Sequence, residues 1–62
     1  MWQPIRSLRD LPTDRALHFA VVEKGRMRTI DYPCRRAGNS LVDARTGRPI
    51  EIRPTHWREW KD

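Results

Sequence analysis

Between Leu17 and Tyr32, apolar side chains fall on alternate positions on both sides of a Lys24-Gly25 pair. That pattern constrains the chain more than any other feature, because period-two alternation interrupted by a two-residue turn leaves an antiparallel hairpin as the simplest solution. A loop at Lys24-Gly25 pairs Glu23 with Arg26, Val21 with Arg28, Phe19 with Ile30 and Leu17 with Tyr32. Leu17, Phe19, Val21, Ile30 and Tyr32 then share one face, while the other face sets His18 opposite Asp31 and Ala20 opposite Thr29. By the same register Arg28 falls on the apolar face, so it lies at the rim or pairs with an acid.

The rest of the chain is read around this hairpin as one domain, residues 1–62. Met1 to Asp14, with Pro4 and Pro12, is an irregular lead-in in which Ser7 and Asp10 cap at most one helical turn. Its Trp2, Ile5, Leu8 and Leu11 are expected to lie across a sheet. Pro33 to Ser40 reads as a basic loop turned by Gly38 and Asn39. Leu41–Ala44 and Ile50–Arg53 flank Arg45-Thr46-Gly47 as a second hairpin, with Val42 opposite Ile50. Pro54 closes that strand, and Thr55-His56-Trp57 starts either a short final strand or a single turn. The expected fold is all-β, or β-rich α+β: a small antiparallel sheet of four to five strands built from two hairpins.

Composition narrows the functional classes. At 62 residues and 37% hydrophobic content the core is thin, and a domain of this size buries only about 60% of its unfolded surface. Cys34 stands alone and makes no internal disulfide or multi-thiolate zinc site, which suits a reducing compartment. No apolar run is long enough for a membrane span or a signal-peptide core, so a soluble cytoplasmic chain is expected. Eleven Arg and two Lys against eight acids give a net charge of +5. Such a surface attracts anions, whether nucleic acid, an anionic membrane or an acidic protein.

No catalytic pattern is present. Ser7, Thr13, Ser40 and Cys34 have no base at a recognisable spacing, and His18, His56 and Cys34 match no metal-binding spacing. The expectation is a protein that is not an enzyme and carries no cofactor and no metal. Gly25, Gly38 and Gly47 each stand isolated in a turn, so there is no phosphate-cradling loop. His18 reads as a cross-strand partner of Asp31, and His56 as a polar neighbour of Trp57.

Two groups remain as candidate partner-binding surfaces. Arg26 and Arg28, with Arg35 and Arg36 in the following loop, concentrate positive potential on one edge; the alternative is an edge strand protected by charge against aggregation. Arg58 and Trp60 form the second patch. Trp57 and Trp2 are expected to close the core, whereas Trp60, near the chain end, reads as an exposed anchor.

Trp2-Gln3-Pro4-Ile5, Leu11-Pro12, Val21-Val22-Glu23, Val42-Asp43-Ala44 with Thr46-Gly47, and Pro54-Thr55-His56-Trp57 together resemble the short phage and prophage family of unknown function numbered 551. Its members typically begin W-x-P and end in T-H-W. Leu41 stands where a tryptophan is usual, and Arg58-Glu59 replaces a common proline-rich ending. The resemblance implies a phage or prophage origin and a compact β-rich fold, and it supplies no activity.

These observations lead to a non-enzymatic protein-binding module. The expected partner is a host protein or complex with an acidic surface, such as a defence nuclease or polymerase, and an anti-CRISPR or other anti-defence inhibitor is one member of that class. The alternative is a small nucleic-acid-binding protein. Against it, acids interleave with the basic residues along the whole chain and no base-reading motif occurs, so contact with nucleic acid is expected to be weak and non-specific. No membrane contact is expected, and homo-oligomer formation through a sheet edge is compatible with both readings.

Overall fold

The computed structural model describes residues 1–61. Six strands form one antiparallel sheet: β1 (Gln3–Pro4), β2 (Leu17–Glu23), β3 (Arg26–Thr29), β4 (Cys34–Ala37), β5 (Ser40–Asp43) and β6 (His56–Glu59). Their order is β1-β6-β2-β4-β5, with β3 also paired to β2. β2 is therefore the centre. One of its edges carries β6 along Leu17–Ala20, and the other is shared between β3, from Ala20 to Glu23, and β4, at Leu17.

The first hairpin has the register that alternation predicts, pairing Glu23 with Arg26, Val21 with Arg28 and Ala20 with Thr29. Lys24 and Gly25 both take positive φ, 51° and 77°, the backbone that matches the twist of a two-residue hairpin. Ile30 N–H donates to the Phe19 carbonyl at 2.9 Å, which continues the ladder one pair further. The expected pairing of Leu17 with Tyr32 does not follow. The chain bends at Asp31–Tyr32, so the strand ends there and restarts as β4, where Leu17 faces Cys34 instead. Tyr32 still packs against the core.

The stretch from Pro33 to Ser40, expected as a loop, is β4 and its turn. Gly38, at φ 62°, and Asn39 form a two-residue turn that pairs Arg36 with Leu41 and Cys34 with Asp43. The second hairpin is thus β4–β5, and Ile50–Arg53 is not a strand. Val42 meets Pro49 in an isolated bridge, where Ile50 was expected. Asp43 explains the shift: its carbonyl accepts Gly47 N–H at 2.7 Å and its carboxylate accepts Arg45 N–H at 2.8 Å. The loop tightens around that aspartate, and the returning chain meets β5 one residue earlier.

Leu11, Leu17, Phe19, Cys34 and Leu41 form the core, flanked by Ile5, Leu8, Ile30, Tyr32, Ile50, Ile52 and Trp57. The lead-in covers this face as expected through Ile5, Leu8 and Leu11. It holds a short 3-10 turn, Leu8–Asp10, in which Ser7 Oγ accepts Arg9 N–H. Trp2 departs from expectation and lies on the opposite face of the sheet, because Gln3 pairs with Trp57 and alternation turns Trp2 the other way.

Candidate functional surfaces

His18 sits on the open face of β2, and its registered neighbour is Arg58 on β6; the expected pair with Asp31 is not among the ladder pairs. β6 lies on the edge of β2 opposite β3, so Arg58 does not stand in the place of Asp31; the bend at Asp31 keeps that residue out of the paired ladder on the other edge, although its carboxylate still acts on His18. Arg58 Nε donates to His18 Nδ1 at 3.1 Å, so the neutral imidazole carries its proton on Nε2. Trp2 packs against one side of the imidazole, with centroids 4.8 Å apart, and Trp60 meets it edge-on at 5.0 Å. The Arg58 guanidinium lies 4.3 Å above the Trp2 ring, a cation–π contact.

These four side chains close the open face where the two ends of the described chain meet. Burial, and then the Arg58 charge, hold the His18 pKa below its ordinary value; the Asp31 carboxylate and the Ile30 carbonyl act in the opposite direction. A groove of about 560 Å³ runs alongside, lined in part by Gln3, Arg15, His18 and Lys61. Trp60 is half-buried against His18 and its N–H donates to the Ala16 carbonyl. It is a closing residue of the sheet, where sequence suggested an exposed anchor.

The four arginines expected as one cluster are divided. Arg26 and Arg28 are exposed on β3, on the face that carries Glu23 and Val21. Arg35 is exposed on β4, and alternation sends it to the face opposite Arg36. Arg36 is committed to the fold: its guanidinium donates to the carbonyls of Gly38 at 2.7 Å, Leu11 at 3.1 Å and Arg9 at 3.3 Å. It ties the lead-in to the β4–β5 turn. An arginine beside a glycine turn carried no sequence signal for this, because its acceptors lie 25 and 27 residues away.

Other arginines are also engaged. Arg15 pairs with Asp14 at 3.2 Å and Glu59 at 2.6 Å. Arg45 pairs with Asp43 at 3.0 Å and lies 4.7 Å over the Tyr32 ring. Hydrogen bonding from Arg45 holds the Asp43 carboxyl below its usual range, against the opposing effect of burial. Arg26, Arg28 and Arg35 take part in none of the ion pairs among the described residues.

Burial pushes the Cys34 thiol up to about 11, with the Asp43 carboxylate adding to the effect and Arg45 opposing it. At neutral pH it is a protonated core side chain that donates to the Tyr32 carbonyl at 3.5 Å, not a thiolate nucleophile. His56 bonds to the Thr55 hydroxyl at 2.8 Å. Among the described residues no three His, Cys, Asp or Glu side chains gather as a metal-ion site, and no helix is long and apolar enough to cross a membrane. Comparison of the chain with protein families, characterised proteins and solved structures finds no match.

Proposed function

We propose that this protein is a non-enzymatic protein-binding module, a phage or prophage accessory protein of the cytoplasm that attaches to a host complex through an acidic surface on that complex. Inhibition of a defence system is one outcome such attachment serves. The observation that carries the reading is the division among the arginines. Arg15, Arg36, Arg45 and Arg58 are engaged within the fold, whereas Arg26, Arg28 and Arg35 on the strands, like Arg6, Arg9, Arg48 and Arg53 in the connecting segments, stand exposed outside the ion pairs among the described residues. Guanidinium forks in that state suit carboxylates on a partner.

Two further points favour protein over nucleic acid. Rings that stack on bases need a free face, yet Trp2 is in contact with both Arg58 and His18, and Tyr32 carries Arg45. Arg35 also projects from the sheet face opposite Arg26 and Arg28, so the three do not follow one phosphate track.

The test is affinity capture from bacterial lysate, with the parent protein compared with an Arg26→Glu/Arg28→Glu/Arg35→Glu variant that melts at the parent's temperature. A protein retained by the parent and lost by the variant, with capture indifferent to nuclease treatment, is the expected result. Equal retention by both, or loss of retention on nuclease treatment, overturns the proposal.

A further inference from the structure

β3 has one partner, β2, and its other edge faces no strand among the described residues. Hydrogen-bonded pairs alternate along an antiparallel ladder. The Ile30 to Phe19 bond fixes the phase, which makes Val21–Arg28 and Glu23–Arg26 the bonded pairs. Met27 and Thr29 therefore turn their N–H and C=O groups outward, spaced as the edge of a strand requires. All four residues of β3 are exposed.

Other edges among the described residues are shorter or partly covered. Where β2 runs past the end of β6, Val22 N–H is accepted by Thr55 Oγ1 at 2.9 Å. The outer side of β5 is met by the returning chain, with Asp43 N–H on the Arg48 carbonyl at 2.8 Å and Ile50 N–H on the Leu41 carbonyl at 3.0 Å. β1 is two residues long and ends in Pro4, which has no N–H.

The side chains beside the open edge differ by face. Arg26 and Arg28 project on one side. On the other, Met27 is 47% exposed and its cross-strand neighbour Val22 is 37% exposed, a pair of uncovered apolar side chains. A second copy is a poor occupant: β3 against β3 brings Arg26 and Arg28 of one copy across the same residues of the other, and like charges directly opposite are destabilising. An acidic strand meets no such repulsion.

We propose that the outer edge of β3 accepts an extended segment of the partner protein as an added strand, with Asp or Glu at alternate positions facing Arg26 and Arg28 and apolar residues between them covering Met27 and Val22. Main-chain bonds to Met27 and Thr29 supply affinity and the alternating side chains supply selectivity. The proposal rests on the protein-binding reading and names the chemistry that the partner presents. Two arginines thereby keep copies of the chain apart and admit a segment of opposite charge.

The probe is a synthetic peptide of alternating Glu and Val, about eight residues long to match a typical strand. Titration is followed by amide NMR and hydrogen exchange. Expected results are saturable binding that weakens with salt, and new protection at Met27 and Thr29 but not at Val22, whose N–H is already bonded. Arg26→Glu/Arg28→Glu should lose at least about tenfold in affinity for this peptide, equivalent to about 1.4 kcal/mol, and gain affinity for the Lys-Val counterpart.

A peptide N-methylated on alternate amides keeps the charges and loses the edge bonds, so equal binding by it overturns strand addition. Protection at the same amides by single-stranded oligonucleotide in place of peptide, or by self-association of the protein alone, overturns the choice of occupant. If neither peptide binds while the lysate partner is still lost on charge reversal, the edge proposal fails and the protein-binding reading stands. If the variant retains that partner as well, both fail.

Discussion

The two hairpins of this sheet share a two-residue turn but differ in what holds them. In β2–β3 the alternation of Leu17, Phe19 and Val21 dictates the register, and the turn at Lys24-Gly25 conforms to it. In β4–β5 the strands are four residues each, with only Cys34, Leu41 and Asp43 buried. Contacts from outside the hairpin complete it: Arg36 reaches the lead-in, Pro49 bridges Val42, and Asp43 organises the loop that follows. A hairpin with an apolar face of its own is readable locally, whereas one fastened by distant partners is not.

The strongest way to break this comparison is at Phe19, fully buried and paired across to Trp57. Phe19→Ala should cost about 3–5 kcal/mol, comparable to the whole stability of a small domain. Urea denaturation should find the variant largely unfolded without denaturant. A native-like midpoint would mean that the core does not centre on β2.

Adjacent arginines sharpen the contrast within β4. Arg36→Met should destabilise by about 1–2 kcal/mol through its lost hydrogen bonds to main-chain carbonyls, whereas Arg35→Met should stay within about 0.5 kcal/mol of the parent. Matched thermal melts decide. Equal effects at the two positions would remove the role assigned to Arg36 as the tie between lead-in and turn.

The smallest effect concerns pH. The His18 pKa is lower in the fold than its ordinary 6.5, so the unfolded chain takes up its proton first as pH falls. His18 therefore lowers stability progressively from about 6.5 down through its folded value and has no such effect above that window. Protonation also removes the acceptor for Arg58 Nε. Melting temperature should fall modestly between pH 7 and pH 5, and His18→Gln should flatten that segment of the profile. An unchanged slope in the variant would place the titrating group elsewhere.

Much of the fold was legible in the residues, and the reasons are local. Leu17 to Ile30 announces both its turn and its faces, and Leu11, Ile5 and Leu8 cover the core as their spacing suggests. What sequence reading missed depended on pairing at a distance. Trp2 was assigned to the core because large rings are scarce, yet its face is decided by where Gln3 meets Trp57. Tyr32 was assigned to the ladder because it keeps the alternation, yet the chain bends at Asp31–Tyr32 before the pair with Leu17 can form. Of the candidate surface residues, Arg26, Arg28 and Arg35 remain available to a partner, while Arg36, Arg58 and Trp60 are occupied by contacts that no short window of sequence contains.

The place of β6 has a consequence for how the chain is made. The last strand in sequence lies inside the sheet, between the first strand and the central one, and Leu17 waits for Glu59 as Gln3 waits for Trp57. A nascent chain emerging from the ribosome can form the β2–β3 hairpin, but one edge of its central strand stays bare until His56–Glu59 have left the exit tunnel. Folding is therefore completed after those residues are synthesised, and closure of the long loop between β2 and β6 is expected to limit its rate. A transcript or message cut short within the final codons of β6 would yield a polypeptide that keeps nearly all of its core residues and still lacks the strand that joins β1 to the central β2.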